Sequence, residues 1–344
     1  MAFVLIFFIS FFSITNASDN TSNPYSSKCP DMMTIIERHV HTVVVDEPRM
    51  AASLLNLFFH DCFVNGCDAS ILLDDTAEVI GEKSAPQNLR SLRGFEVVDD
   101  IKAALEVACP ATVSCADILA VAARDSVVAW NGPTWDVQLG RRDSTKANFS
   151  DVGVNIPSPN FNLSELISAF ELKGFNSREM VALSGAHTIG AAHCASFYHR
   201  IYNDKDLNVS LGEKLKVVCP KEEWLSNVTS VTQPLDITTD TRFDFAYFKN
   251  LEMEMGLLHS DQQLMNGSLT SSYVRAYIAY PDTFHSDFAQ AMQKLGSLGI
   301  LTGQDGEIRS VCRKVNIRCR AASGAIHNIF TSMVCLLVLA IFLF

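Results

Sequence analysis

A histidine stands near the end of an apolar segment in the stretch NLFFHDCFVNGCDAS, and a polar residue precedes it by one helical turn. Asn56 and His60 are four residues apart, so a helix places both side chains on one face, with Phe59 beside them. A single histidine is more often structural than catalytic. A polar pair beside an aromatic ring, within an otherwise apolar helix, nevertheless predicts a lined pocket around His60.

The residues that follow this histidine combine two cysteines with several oxygen-bearing groups. Cys62 and Cys67 can close a tight loop. The candidate oxygen ligands around that loop are the side chains of Asp61, Asp68 and Ser70 and the carbonyls of Val64 and Gly66. Hard oxygen ligands on a loop closed by a disulfide suit Ca²⁺. The residues themselves leave a second interpretation open, a disulfide turn whose acids are solvated.

A second histidine, His187, lies in SGAHTIGAAHC, just after a predicted helix and with glycine on both sides. Glycines allow a flat group to approach the backbone closely. Thr188 follows at once, and the later stretch LDITTDTRFD forms another oxygen-rich loop. The oxygen groups of that loop are Asp236, Thr239, the Arg242 carbonyl and Asp244. Each signal alone is weak. Together, an oxygen-rich loop of the Ca²⁺-binding type beside each of two histidines indicates that the two regions are built in the same way.

The periodicity of apolar residues predicts that most of the chain is α-helical. The predicted helical segments are MAASLLNLFFHDC, ADILAVAARDSVVAW, NSREMVALSGAH, LSELISAFELKGF, FDFAYFKNLEMEMGLL and SDFAQAMQKLGSLG. We expect Ser177 to be the N-cap of the segment before His187, and Gly185 can end that helix. Strand-like alternation is scarce. We therefore predict a mainly α unit in two halves.

Composition and motifs limit the classes of function. The 344 residues are 48% hydrophobic, which is enough for a large core, and the net charge of -11 argues against nucleic-acid binding. The sequence contains no glycine-rich phosphate loop, no G-x-S-x-G and no H-E-x-x-H. These absences disfavour a nucleotide-binding enzyme, a serine hydrolase and a zinc protease.

The N-terminus and the cysteines predict export from the cell. Residues 1–18 form an apolar run that ends in small residues, as in a signal peptide, with cleavage expected near Ala17 to Asp19. Ten cysteines in an exported chain predict disulfides. The N-x-[ST] glycosylation sequons beyond the cleavage point are Asn20, Asn148, Asn162, Asn208, Asn227 and Asn266. We expect a secreted glycoprotein.

The C-terminal tail, residues 321–344, ends in the uncharged run IFTSMVCLLVLAIFLF. Small residues, a short spacer and a terminal apolar run resemble a GPI-attachment signal, which would hold the protein at the cell surface. The spacer is shorter than the rule requires. Two other interpretations stay open, a membrane helix near the C-terminus and an apolar extension that is trimmed away.

Several stretches, all in the same order, make this chain similar to the class III secretory plant peroxidases, which are haem enzymes. They are FFHDCFVNGCDASILLD, GEKSAPQNLRSLRGFEVVDDIK, CPATVSCADILAVAARD, GPTWDVQLGRRDS, ALSGAHTIG and LTGQDGEIRSVCRKVN. The resemblance runs from about Tyr25 to Asn316. It implies an all-α haem peroxidase fold over residues 19–320, with two helical halves that enclose haem b. It also implies a secreted or cell-wall enzyme that uses H₂O₂ to oxidise small phenols by one-electron steps.

The resemblance further assigns roles around the haem. His187 would be the proximal iron ligand, and Asp261 would accept a hydrogen bond from its other nitrogen. His60 would be the distal base, held in its tautomer by Asn88. Pro157 matches the position that meets aromatic donors at the haem edge. The chain has no C-x-x-C-H, which agrees with a haem that is not covalently attached.

Two Ca²⁺ ions and four disulfides are also implied by the resemblance. The distal Ca²⁺ would be held by Asp61, Val64, Gly66, Asp68 and Ser70, with Glu82 behind these ligands. The proximal Ca²⁺ would be held by Thr188, Asp236, Thr239, Arg242 and Asp244. The implied disulfides are Cys29–Cys109, Cys62–Cys67, Cys115–Cys312 and Cys194–Cys219. Cys319 and Cys335 are left over.

The chain departs from the family at position 56, where the family has arginine and this sequence has Asn56. The family's arginine stabilises the negative charge that develops as the peroxide O–O bond breaks, and a neutral amide cannot supply that charge. Two hypotheses follow. The first is a peroxidase slowed by Asn56; the second is a catalytically impaired haem- and Ca²⁺-binding scaffold at the cell surface.

The tail generates the first testable prediction. If residues 321–344 are a GPI signal, membranes of expressing cells should hold the protein, and phosphatidylinositol-specific phospholipase C should release it. A variant truncated after Arg320 should be found in the medium without the phospholipase. Mature protein that still ends at Phe344, as shown by mass spectrometry, would contradict the GPI interpretation.

Overall fold

A computed structural model describes residues 23–221 and 231–317, and these residues confirm the predicted all-α fold. The α-helices are α1 Met32–Asp46, α2 Met50–Val64, α3 Phe95–Ala108, α4 Cys115–Ala129, α5 Phe149–Asn155, α6 Leu163–Leu172, α7 Ser177–Ser184, α8 Cys194–Asn203, α9 Val209–Val218, α10 Ala246–Glu252, α11 His259–Gln263, α12 Ser268–Ala279 and α13 Pro281–Leu295. Short 3₁₀ turns occupy Ser70–Leu72, Glu82–Ser84 and Gly185–Thr188. The strands β1 Ala191–His193 and β2 Thr232–Pro234 pair antiparallel.

The half of the fold that contains His60 is built around α2 and α4. Helix α2 packs on α4, which in turn packs on α1 and α3. Both central helices are apolar on nearly every face, as expected of helices buried in a core. The hydroxyl of Ser114 accepts a hydrogen bond from Asp117 N and so caps the start of α4.

The half that contains His187 is built from α7, α10, α12 and α13, which pack on one another. Stacked and edge-on aromatic rings fill the space between these helices, among them Phe243, Phe248 and Phe284. The two halves share one continuous hydrophobic core, and a smaller cluster lies between α8 and α9. None of the described helices is both long enough and apolar enough to cross a membrane.

Four disulfides join distant segments, and they are the four pairs that the resemblance implies. They are Cys29–Cys109, Cys62–Cys67, Cys115–Cys312 and Cys194–Cys219. The Cys115–Cys312 bond ties the last described segment to the start of α4. In the same segment, the fully buried Arg309 donates through its guanidinium to the carbonyls of Ala69 and Cys312.

Three details of the sequence prediction were wrong. The N-cap of α7 is Asn176 rather than Ser177, because Asn176 and Glu179 form a reciprocal capping box. The helix expected over FDFAYFKNLEMEMGLL is only Ala246–Glu252. It ends early because the chain turns at Glu254, whose φ is 58°, and Met255 N bonds back to the Asn250 carbonyl. The β1–β2 pair was not predicted.

The signal peptide, the C-terminal tail, Cys319, Cys335, Asn20 and Asn227 lie outside the described residues.

Candidate active site and calcium sites

One stripe of α2 is less buried than the rest of the helix. Most residues of α2 are buried, but Ala52, Ser53, Asn56 and Phe59 are partly accessible. Their spacing of three or four residues puts Ala52, Asn56 and Phe59 on a single stripe. The core covers the other faces of α2, so this stripe is the accessible part of the helix.

The segment that contains His187 lies against this stripe. The His187 side chain keeps 37% of its surface accessible, although Thr188 next to it is buried. A Cβ atom built on Gly190 would come within 2.8 Å of the Ala52 Cβ, so the backbone after His187 touches the accessible stripe of α2. The positive φ of +93° at Gly190 also favours glycine there. The segments that carry the two histidines are therefore in contact.

His60 is held in one orientation by Asn88. The His60 Nδ1 atom lies 2.7 Å from the Asn88 Oδ1 atom, while the Asn88 amide nitrogen donates to the Glu82 carbonyl at 2.9 Å. Because that amide nitrogen is used, the oxygen must accept from His60, and Nδ1 must carry the proton. Burial lowers the pKa of His60 to about 4, against a smaller opposing effect of the Asn88 hydrogen bond. His60 is thus a neutral imidazole whose Nε2 lone pair can accept a proton at neutral pH.

His187 is held in the same way, but by a carboxylate. Its Nδ1 atom lies 2.7 Å from Asp261 Oδ1, and the Tyr247 hydroxyl donates to that same oxygen at 2.9 Å. Burial acts to lower the pKa of His187, but the charge and hydrogen bond of Asp261 outweigh it and raise that pKa. The second carboxylate oxygen of Asp261 is buried and has no hydrogen-bond partner among the described residues. A carboxylate at Nδ1 leaves the Nε2 lone pair of His187 as a strong metal ligand.

The two histidines fit a haem site, because one imidazole is neutral and the other is paired with a buried carboxylate. Histidine paired with a buried acid is a usual iron ligand in haem proteins. His187 would hold the iron of a haem b, and His60 would supply a base near it.

Asn56 lies on the accessible stripe, one turn before His60, where the family resemblance places a cation. Its amide is half-buried and forms no hydrogen bond with any other residue in the described part of the chain. The position is therefore neutral and partly accessible.

The loop after His60 is a buried cluster of acids. Asp61 is fully buried, Asp68 is 6% exposed and Glu82 is fully buried, which rules out the interpretation of a disulfide turn with solvated acids. The Ser70 hydroxyl and one Glu82 carboxylate oxygen are buried without hydrogen-bond partners in the described structure. Burial raises the pKa of all three acids, that of Glu82 to about 7, and repulsion from Asp68 adds to the effect at Asp61. Such a cluster fits a cation.

The backbone of this loop is set by contacts with its neighbours. A Cβ atom built on Gly66 would lie 2.6 Å from Gly299, so the loop packs directly on another backbone segment. The Val64 carbonyl accepts a hydrogen bond from Lys173 Nζ at 3.1 Å. A carbonyl oxygen has two lone pairs, so Val64 keeps one for a metal ion. Neither the contact with Gly299 nor the Lys173 ammonium was expected from the sequence.

The loop after α9 brings two acids and two hydroxyls together beside His187. Thr188 Oγ1 lies 3.2 Å from Asp236 Oδ2 and 3.5 Å from Asp244 Oδ1, and Thr239 Oγ1 lies 3.1 Å from the same Asp244 oxygen. The single hydroxyl proton of Thr188 cannot satisfy both carboxylates. Burial raises the pKa of Asp236. Arg242 itself is exposed, and its amide bonds the Thr239 carbonyl to close the loop.

Both loops would depend on mixed oxygen ligands. The described residues contain no group of three or more His, Cys, Asp or Glu side chains placed to hold a metal ion. Each site would therefore combine carboxylates with hydroxyl and carbonyl oxygens, which is the ligand set that Ca²⁺ prefers.

Pro157 lies in the irregular segment between α5 and α6 and is half-buried. The nearby Pro159 carbonyl accepts a hydrogen bond from Ser260 N, so this segment runs beside the helix that contains Asp261.

Two residues of the site were missed by sequence reasoning. Tyr247 shares Asp261 with His187, and the buried Arg309 places a positive charge near Asp61 and Asp68. Arg309 lies within the matched stretch LTGQDGEIRSVCRKVN, and Tyr247 lies within a predicted amphipathic segment. In both cases the partner lies far away in sequence or on another element, so local pattern gives no signal for the contact.

The sequence matches one protein-family model and many known proteins. The family model described as Peroxidase matches residues 36–280. The chain is 52% identical to Peroxidase P7 of Brassica rapa subsp. rapa over 86% of this chain and 99% of the relative. It is 50% identical to Peroxidase 4 of Vitis vinifera, over 90% and 95% of the two chains. It is 47% identical to Peroxidase 67 of Arabidopsis thaliana, over 91% and 99%.

Calcium removal should destabilise the protein more at about pH 7.5 than at about pH 5. A carboxyl whose folded-state pKa is raised stabilises the fold while it is protonated, and that stability is lost as the pH rises through the folded-state pKa. The buried acids near Asp61 behave in this way without metal, and bound Ca²⁺ offsets their charge once they ionise. The difference in Tm between Ca²⁺-loaded and EDTA-treated protein should therefore grow between these pH values.

Two variants distinguish the effect of calcium at this loop from the effect of burying any acid. Asp68→Asn should reduce the calcium-dependent difference in Tm. Asp125→Asn changes another buried acid with a raised pKa, one that pairs with Arg124 away from both loops, and should leave the difference unchanged. A difference in Tm that does not vary with pH would contradict the assignment of the loop.

Proposed function

We propose a more specific reaction for this chain, which belongs to the peroxidase family and is an H₂O₂-dependent oxidoreductase. It would oxidise small phenols by one-electron steps through a haem b bound to His187. We further propose that Asn56 slows its reaction with peroxide. The observation that carries the first proposal is a pair of histidines on two segments in contact, each with its Nδ1 atom held by a buried side-chain oxygen.

His60 would move a proton within the bound peroxide. Its Nε2 lone pair takes the proton from one peroxide oxygen and returns it to the other, so that the second oxygen leaves as water. Asn88 fixes the tautomer that this transfer requires, because its oxygen accepts the Nδ1 proton. Because the pKa of His60 is lowered to about 4, its base form predominates across the neutral pH range.

The haem would supply the centre that stores the two oxidising equivalents of H₂O₂ and withdraws one electron from each of two phenols. Asp261 supports this chemistry from below, because its carboxylate makes His187 a more basic ligand. The balance is one H₂O₂ and two phenols converted to two waters and two phenoxyl radicals.

With Asn56 in place of arginine, no positive charge at this position would stabilise the negative charge that develops as the O–O bond breaks. Loss of one oriented donor to a developing charge costs about 10²–10³ in rate, or roughly 3–4 kcal/mol. The chain retains the other residues to which the family resemblance assigns a role, and this supports a slow peroxidase. The alternative is a haem- and Ca²⁺-binding scaffold at the cell surface, and the neutral amide of Asn56 is the observation that favours it.

The metal sites would maintain the two histidines. The distal Ca²⁺ would bind Asp61, Val64, Gly66, Asp68 and Ser70, with Glu82 behind them. The proximal Ca²⁺ would bind Thr188, Asp236, Thr239, Arg242 and Asp244. Each loop is joined to a histidine through the very next residue, Asp61 or Thr188. Each ion would therefore fix the backbone from which a histidine projects.

Donor access and location complete the proposal. Small phenols would reach the haem edge near Pro157. The chain would be secreted after loss of residues 1–18, with residues 19–320 as the enzyme and residues 321–344 as a signal for membrane attachment. Among the sequons in the described residues, Asn162 and Asn266 are exposed and are open to glycosylation.

Replacement of His187 should abolish haem binding. His187→Ala removes the iron ligand, so purified protein should contain little haem and show no Soret band. His199→Ala changes a histidine whose side chain is 64% exposed and should keep full haem content. Equal haem content and equal spectra in the wild type and His187→Ala would contradict the ligand assignment.

Introduction of a cation at position 56 should speed haem oxidation. Asn56→Arg should raise the rate on mixing with H₂O₂ by about 10²-fold or more, because the charge acts mainly on the transition state. Asn56→Met is the matched control, since it adds length without charge and should give no such gain. His60→Ala should slow the wild type further.

Stopped-flow absorbance at the Soret maximum measures these rates. If the wild type already reacts as fast as Asn56→Arg, another group supplies the charge, and the proposed handicap is wrong.

A further inference from the structure

A series of aromatic rings leads away from His187 through the core. Tyr247 stands edge-on to His187, with ring centroids 6.1 Å apart. Phe248 follows at 5.0 Å from Tyr247, and Tyr277 follows at 5.1 Å from Phe248. Both tyrosines are 1% exposed, so this path is enclosed by protein.

Each tyrosine on this path has a carboxylate that can take its proton. The Tyr247 hydroxyl donates to Asp261 Oδ1 at 2.9 Å, and the Tyr277 hydroxyl donates to Asp287 Oδ2 at 2.7 Å. A phenol that loses one electron becomes a strong acid, and a hydrogen-bonded base allows it to become a neutral radical. Phe248 is not oxidised as readily, but its ring shortens the gap between the two phenols.

The path ends at a cleft on the outer surface. Arg178, Glu179, Asp282 and Asp287 are among the residues that line this cleft, whose volume is about 530 Å³. Asp287 is shared, because its Oδ2 atom accepts from Tyr277 and also from Arg178 Nε at 2.7 Å. A molecule in the cleft is therefore separated from the Tyr277 phenol by a single carboxylate.

We propose that Tyr277 and Tyr247 pass single electrons from donors in this cleft to the haem centre, so that phenols too large to reach the haem are oxidised at the surface. The inference rests on the proposed function, because H₂O₂ supplies the oxidising equivalents through the haem. It adds a second place of donor oxidation, distinct from the one near Pro157.

Electrons and protons balance along the path. Tyr247 gives one electron to the haem centre that peroxide has oxidised and gives its proton to Asp261. Tyr277 then gives one electron to Tyr247, which takes its proton back from Asp261, while the Tyr277 proton moves to Asp287. The donor phenol gives one electron to Tyr277, which recovers its proton from Asp287. The donor releases its own proton to water and leaves as a phenoxyl radical.

Charge indicates the kind of donor. The chain has a net charge of -11, and Asp282 in the cleft forms no ion pair within the described residues. Long-range attraction therefore favours a positively charged partner. We commit to phenol groups carried on a basic polymer, such as tyrosine side chains on a lysine-rich polypeptide.

The test uses the haem-loaded protein and two successive mixing steps. One equivalent of H₂O₂ first oxidises the haem, and the donor is added afterwards, so a slow first step does not mask the second. The donors are a lysine–tyrosine random copolymer, a glutamate–tyrosine copolymer of equal tyrosine content, and free tyrosine as the small phenol. The rate of haem re-reduction is followed at the Soret band.

Tyr277→Phe should slow re-reduction by the lysine–tyrosine copolymer by about tenfold or more and leave the rate with free tyrosine unchanged. Asp287→Asn, which keeps the phenol but weakens its proton acceptor, should slow the copolymer in the same direction. Tyr25→Phe is the matched control, because it removes a hydroxyl that donates to a buried acid, Asp117, without a ring contact to the path. In the wild type, the glutamate–tyrosine copolymer should react more slowly than the lysine–tyrosine copolymer.

A second readout does not depend on turnover. With H₂O₂ but no donor, freeze-quench electron paramagnetic resonance of the wild type should detect a tyrosyl radical. Tyr277→Phe and Tyr247→Phe should both change that signal, and Tyr25→Phe should preserve it.

Equal copolymer rates in the wild type and Tyr277→Phe, or a tyrosyl signal that Tyr277→Phe leaves unchanged, would overturn the relay while leaving the peroxidase proposal intact. A Soret band that does not change in the first mixing step would overturn the proposed function, and the relay with it.

Discussion

The site depends on one constraint, which is that each histidine has its Nδ1 atom held by a buried oxygen, so that its Nε2 atom stays free for another partner. The two hydrogen bonds are equally short, 2.7 Å, but their acceptors differ. The neutral amide of Asn88 leaves His60 with the low pKa that burial imposes, whereas the charge of Asp261 raises the pKa of His187. Under the proposed function, the same kind of side chain would act as a base in one place and as a metal ligand in the other.

The acid-rich loops add contacts that hold the segments around the two histidines. The Glu82 carbonyl holds the Asn88 amide, so the cluster behind Asp61 also orients His60. On the other side, Asp236 Oδ1 accepts from the Asn250 amide in α10, the helix that also contains Tyr247. Buried carboxylates without a cation are costly. A bound metal would therefore stabilise the fold and the orientation of the histidines by the same interaction.

The sequence predicted helices better than it predicted contacts between residues that are distant in sequence. The apolar periodicity of α2 was sufficient to place Asn56 and His60 on one face, because helix geometry fixes that relation locally. The cap of α7 was misplaced by one residue because Asn176 and Ser177 are both good N-cap residues, and only the contact with Glu179 decides between them. The disulfides, Asn88 and Asp261 came from family resemblance, since spacing cannot select one pairing among 105. The contact between Tyr247 and Asp261 depends on how two helices pack, which local pattern does not encode.

Position 56 shows how the fold and the reaction can vary separately. Asn56 lies on the one stripe of α2 that the core does not cover, so the packing of that helix does not depend on the size or charge of its side chain. Under the proposed function, the consequence of a neutral residue would fall on the transition state instead. Without a fixed cation, negative charge on the leaving oxygen would be relieved only as the proton arrives from His60. O–O cleavage and proton return would then occur nearly together, and the reaction would depend on the position of the His60 Nε2 atom more strongly than it would beside an arginine. The hydrogen bond between His60 and Asn88, which fixes that position, would therefore be the contact on which the proposed activity rests.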